Sequence, residues 1–150
     1  MGVIETRKIL YLGQPEVSFW REMDKDGLLI EYGNREVQFL RMGGFGVDVS
    51  RNASDAYGSL MLNNDYAAFV MDLESHPGNL RINNDWKYGR VGVELFSKLR
   101  DAHIDVPVIV TSNITSSALN TWFEKNGALG VLKQPTNLDD FLSYVKPVNV

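Results

Sequence analysis

Three apolar runs constrain what this chain can fold into. Tyr66 to Leu73, Val106 to Thr111 and Ala128 to Leu132 are nearly continuous in hydrophobic residues, and the second is rich in β-branched side chains. A strand with one solvated face alternates apolar and polar residues, whereas a strand covered on both faces does not. Runs of this kind, separated by amphipathic stretches, predict a parallel sheet with helices on both sides. Ile9 to Leu12 is a shorter strand of the same type, and Val47 to Val49 is a weaker one introduced by Gly43, Gly44 and Gly46.

The helices fall between these strands. Val91, Leu95 and Leu99, with Phe96 beside them, recur at helical spacing before Asp101. Leu119, Trp122 and Phe123 form the stripe of another helix, stopped by Asn126-Gly127. Leu138, Phe141, Leu142 and Val145 predict a last helix, capped by Thr136 or Asn137 and stopped by Pro147. Ala53 to Leu62 and Arg35 to Met42 are further helix candidates. Two stretches exceed a minimal five-unit α/β domain. In Pro15 to Gly33, a hairpin is expected, Val17–Met23 against Leu28–Tyr32, around the turn Asp24-Lys25-Asp26-Gly27. Ser75 to Arg90 is a Gly/Asn/Asp-rich loop that carries Trp86 and Tyr88. Both come after the carboxyl ends of strands, where open α/β sheets place their binding crevice.

Composition narrows the function. The 150 residues suit one domain, 1–150, and 44% hydrophobic content is ordinarily globular. A net charge of −4 with scattered Lys and Arg argues against nucleic-acid and membrane-surface partners. The absence of cysteine excludes disulfides, thiolate catalysis and cysteine-based zinc sites. The apolar run within Met1 to Leu12 is too short for a signal peptide or a membrane span, so a cytoplasmic protein is expected. His76 and His103 lie in a loop and a helix–strand connection, too few for a zinc site without carboxylate partners. Gly43-Gly44-Phe45-Gly46 precedes a strand rather than opening a helix, so it reads as a turn and not as a phosphate loop.

From Gly44 onward, roughly two thirds of the chain carries an ordered set of short motifs. Gly44-Phe45-Gly46-Val47 leads into a strand, and Val70-Met71-Asp72-Leu73 ends the next one in an aspartate. Gly92 opens a helix, Pro107-Val108-Ile109-Val110-Thr111-Ser112 forms a fourth strand, and Gly127-Ala128-Leu129-Gly130 precedes Pro135. In this order the motifs resemble the response-regulator receiver domains. The resemblance implies a flavodoxin-like, doubly wound, five-stranded parallel sheet of order 2-1-3-4-5, with insertions after strands 1 and 3. It places Asp72 at the phosphoacceptor position and Ser112 at the hydroxyl position.

The departures from the family pattern set the functional expectation. Receivers hold Mg²⁺ with two adjacent acidic residues after the first strand; here those positions are Gly13 and Gln14. The lysine that precedes the final proline is Gln134, and the aromatic of the fifth strand is Val131. Lys133 is one residue away, on the opposite face of an extended strand. With Asp72 and Ser112 kept and the other groups lost, the resemblance implies a pseudo-receiver. It would be a non-enzymatic module with no metal and no cofactor, acting through a protein partner or self-association. Two alternatives stand beside it. One is a small-ligand sensor using the pocket near Asp72, Ser112 and Gln134. The other is an unorthodox enzyme or a phospho-accepting receiver with Asp72 and displaced carboxylates; a different metal site of Asp72 with Glu16, Glu74 or Asp85 is not required by the spacing. With no further domain after Val150, output is expected from association. The resemblance assigns Trp122, Lys133 and Tyr144 to the partner-docking face, and the aromatics Trp20, Trp86 and Tyr88 of the two insertions are further contact candidates.

Overall fold

The apolar runs become the strands of a central sheet, which fixes where every site residue stands. The structure, a computed structural model, describes residues 4–6, 8–13, 19–23, 29–63, 66–80, 90–113, 116–134 and 136–147. In chain order the elements are β1 (Ile4–Thr6), β2 (Lys8–Leu12), β3 (Phe19–Met23), β4 (Leu29–Asn34), α1 (Arg35–Met42), β5 (Gly46–Ser50) and α2 (Ala53–Leu62). They continue with β6 (Ala68–Asp72), α3 (Arg90–Asp101), β7 (Val108–Ser112), α4 (Ser117–Lys125), β8 (Gly130–Lys133), α5 (Leu138–Leu142) and β9 (Val145–Pro147).

Five strands pair in parallel in the order β5-β2-β6-β7-β8. Counted within that sheet the order is 2-1-3-4-5, as the receiver resemblance implies. The register sets Asp72 opposite Thr111 and Ser112 opposite Lys133. Strand alternation then sorts the core into two layers. Leu10, Leu12, Phe69, Met71, Val108 and Val110 pack with α2, α3 and Phe123 of α4. Ile9, Tyr11, Val70 and Ile109 pack on the other face with α1 and α5. No helix among the described residues is long and apolar enough to cross a membrane.

Local chemistry sets the helix ends. Asn52 caps α2, its side chain accepting from the Asp55 N–H, and Ser116 caps α4 in the same way through Leu119. Asn137 caps α5 in a capping box with Asp140. Gly127 closes α4 with a φ of +97°, a conformation glycine adopts without a Cβ penalty. Gly92 lets α3 lie against the backbone of Leu73, where a Cβ would come within 3.1 Å of the Leu73 Cα.

Two features differ from the sequence reading. The expected hairpin forms as β3 against β4, with a register shift between Trp20 and Arg21, and β4 runs on to Asn34, past the expected end at Tyr32; Val17, Leu28 and the turn 24–27 lie outside the described residues. The predicted last helix stops at Leu142. Val145 does not continue its stripe but enters β9, which pairs in parallel with β1. The Tyr144 N–H folds back to the Phe141 carbonyl, ending α5 after little more than one turn. Val145 is fully buried, so its apolar character serves the terminal strand pair rather than a helix face.

Candidate functional site

At the carboxyl end of the sheet, on the face of α1 and α5, six side chains build one buried polar network. Asp72 ends β6 and is 5% exposed; Glu36 stands in the first turn of α1 and is 6% exposed. The Gln134 amide lies between them. Its Nε2 donates to Glu36 Oε1 at 3.2 Å, to Thr111 Oγ1 at 3.2 Å and, more weakly, to Asp72 Oδ2 at 3.4 Å. Two amide hydrogens serve three acceptors, so at least one bond is shared. The Tyr11 hydroxyl donates to Glu36 Oε1 and the Thr136 hydroxyl to Glu36 Oε2. The other oxygen of Asp72 accepts from the Glu74 N–H at 3.0 Å.

The electrostatics follow from this arrangement. Burial pushes the Asp72 carboxyl from 3.8 up to about 6; the Glu74 N–H and the Gln134 amide pull it down, and the charges of Glu36 and Glu74 push it up. No basic side chain among the described residues contributes to that balance. A low-dielectric site with a second carboxylate nearby favours a proton on Asp72.

The first metal position of the receiver pattern, Gly13, is filled from within the chain. A Cβ there would meet Tyr11 Cε1 at 2.4 Å and the phenol oxygen at 2.9 Å. The Tyr11 ring therefore occupies the space a side chain at 13 would need. The described residues of the site do not fit a divalent cation. Mg²⁺ takes oxygen ligands, whereas the group between Asp72 and Glu36 is an N–H donor. Among the described residues no set of three or more metal-ligating side chains converges.

In this setting the chain can be compared with known proteins. No protein-family model and no curated protein matches it in sequence. Solved structures do match. A response-regulator receiver domain from Francisella is 21% identical with a TM-score of 0.61, covering 92% of each chain. The chemotaxis response regulator CheY4 of Vibrio cholerae is 16% identical with a TM-score of 0.62, covering 92% of this chain and 94% of that one. A Burkholderia pseudomallei response regulator with a phosphorylated aspartate, a calcium ion and citrate is 20% identical with a TM-score of 0.60; the match covers 91% of this chain and 65% of that one. The fold is that of the receiver domains.

Within the receiver fold the sequence-derived residues separate clearly. Asp72 and Gln134 come together, and Gly13 lies under the Tyr11 ring, whose phenol bonds Glu36. Ser112 is buried at the end of β7. Thr111, which strand alternation puts on the Asp72 face, brings a β7 hydroxyl into the network. Gln14, Glu16, Asp85, Trp86 and Tyr88 lie outside the described residues. Lys133 is exposed, while Gln134 turns inward. Trp122 is half-buried and meets Phe96 and Phe123 edge-on, with ring centroids 5.8 and 5.0 Å away. The ring of half-buried Tyr144 covers Gly130. Sequence reading missed Glu36, Tyr11 and Thr136. Only Tyr11 gave a signal, since a phenol in a strand buried on both faces requires a partner.

Proposed function

We propose that this chain is a degenerate receiver that signals by association, without Mg²⁺-dependent phosphorylation of Asp72. The observation that carries this reading is the Gln134 amide placed between the carboxylates of Asp72 and Glu36. Phosphoryl transfer depends on cations that stabilise the transferred group and on an open approach to the acceptor oxygen. Here one Asp72 oxygen faces a neutral amide, the other accepts the Glu74 N–H, and a second carboxylate stands behind the same amide. An incoming phosphate meets negative charge where a receiver supplies metal and lysine. The Burkholderia pseudomallei regulator carries a phosphorylated aspartate and a calcium ion. Asp72 of this chain is instead buried, and burial together with the charges of Glu36 and Glu74 favours its neutral form.

Association then carries the output. Lys133, with the accessible edges of Trp122 and Tyr144, supplies candidate contacts on the β8 side of the molecule. The test is incubation with acetyl phosphate and Mg²⁺, followed by intact mass and peptide mapping. We expect unmodified Asp72 and no beryllofluoride adduct under the same conditions. A stoichiometric adduct at Asp72 overturns the reading. Mass in solution, with and without Lys133→Glu, tests the second half: a self-associated species weakened by the substitution supports it.

A further inference from the structure

The network ties two distant parts of the chain to one proton. Glu36 accepts the Thr136 hydroxyl, and Thr136 stands directly before Asn137, the cap of α5. Past α5 the chain enters β9, which pairs with β1. The Gln134 amide spans Glu36 and Asp72 within the same cluster. The groups facing Asp72 are Glu36 from α1, Glu74 from the turn after β6, Thr111 from β7 and Gln134 from the end of β8, with the Tyr11 phenol from β2 on Glu36. Of the nearby cations, Arg41 on α1 is directed to the Val47 carbonyl and Lys133 on β8 is exposed.

We propose that Glu36, Gln134 and Asp72 form a proton-operated latch, closed when Asp72 carries a proton and loosened when both carboxylates are charged, and that loosening it releases Thr136 and the start of α5. A charged Asp72 competes for the amide hydrogens that Glu36 uses and repels Glu36 across a buried, poorly screened space. Displacement of Glu36 weakens its bond to Thr136, the side-chain tie between α1 and the start of α5. The bistable element is the C-terminal segment of residues 136–147, held by a five-residue helix and a three-residue strand. The latch rests on the proposal that Asp72 holds no metal, because a divalent cation would neutralise both carboxylates.

The test is ¹⁵N NMR of the full chain in EDTA between pH 5 and 8. The expected result is one transition with a midpoint near 6, shared by the Gln134 side-chain amide and the backbone amides of residues 136–146. Above it, hydrogen-exchange protection of β9, corrected for intrinsic rates, falls by about tenfold. Asp72→Asn flattens the transition, and Glu36→Gln, which removes one repelling charge, moves its midpoint down. The latch is overturned if the C-terminal amides do not follow Gln134, or if Glu36→Gln leaves the midpoint in place. Should Asp72→Asn not fold, Glu36→Gln decides alone. A parallel titration with Mg²⁺ keeps the two readings apart. Metal binding at Asp72 defeats the non-phosphorylating module, whereas a flat pH response in EDTA defeats the latch.

Discussion

Burial changes the acid chemistry of Asp72. Its carboxyl titrates at about 6 in the folded chain against 3.8 ordinarily, chiefly because it is buried. Below about pH 4 both folded and unfolded chains hold the proton, and the contribution is complete. Between there and pH 6 the unfolded chain releases its proton while the folded chain retains it, so stability falls as pH rises. Relative to Asp72→Asn, the wild type should lose about 3 kcal/mol across that window and be flat above it, read from urea unfolding at stepped pH. Gln134→Lys places an ammonium between the two carboxylates and should abolish the fall by drawing the Asp72 carboxyl back toward its ordinary range. A persistent fall in that variant means that Gln134 does not face Asp72 in solution. Asp72 and Gln134 were legible because short motifs fix their positions in the chain. Glu36 was not, since an acidic residue in a first helical turn is the ordinary complement to the helix dipole. Only the packing of α1 against β2 and α5 brings it to Asp72.

The elements were legible in proportion to how much of their stability is local. Strands β6, β7 and β8 declare themselves by unbroken apolar runs, and α3 by its stripe of Val91, Leu95 and Leu99. Strands β1 and β9 have three residues each and gain their partners only across the whole chain, so no local period marks them. Two glycines test the helix packing in opposite directions. A Cβ at Gly92 would lie 2.7 Å from Leu73 Cδ1 and 3.1 Å from the Leu73 carbonyl oxygen, and backbone cannot rotate away. Gly92→Ala should therefore destabilise by about 1–3 kcal/mol as α3 is forced off the Leu73 turn. A Cβ at Gly58, inside α2, would meet nothing within 4 Å. Gly58→Ala should stabilise by about 0.5–1 kcal/mol through the lost freedom of the unfolded chain. Thermal melts of the two variants, moving in opposite directions, check both assignments.

On the scale of the molecule, the sheet divides the core unequally. One face is closed by α2, α3 and α4, of 10, 12 and 9 residues. The other is closed by α1 of eight residues and α5 of five. A helix of five residues has almost no stability of its own, so α5 keeps its place only if the chain beyond Leu142 is anchored. Val145 supplies the anchor, fully buried among Ile9, Val37, Val70 and Phe141 and registered opposite Ile4 in β1. The terminal strand pair thus acts as the clasp of the α1–α5 face, the same face that holds the Asp72 network. Removing two methyl groups from Val145 should cost about 2 kcal/mol if the clasp is part of the cooperative fold. It should cost under about half a kcal/mol if the strand pair frays independently. Val145→Ala followed by urea unfolding separates these outcomes, and native-state hydrogen exchange locates the loss. We expect β9 and α5 to open at a lower free energy than β6 and β7, with the substitution widening that gap. Equal protection throughout would show that α5 and β9 open only with the whole fold, leaving no loose segment beside Asp72.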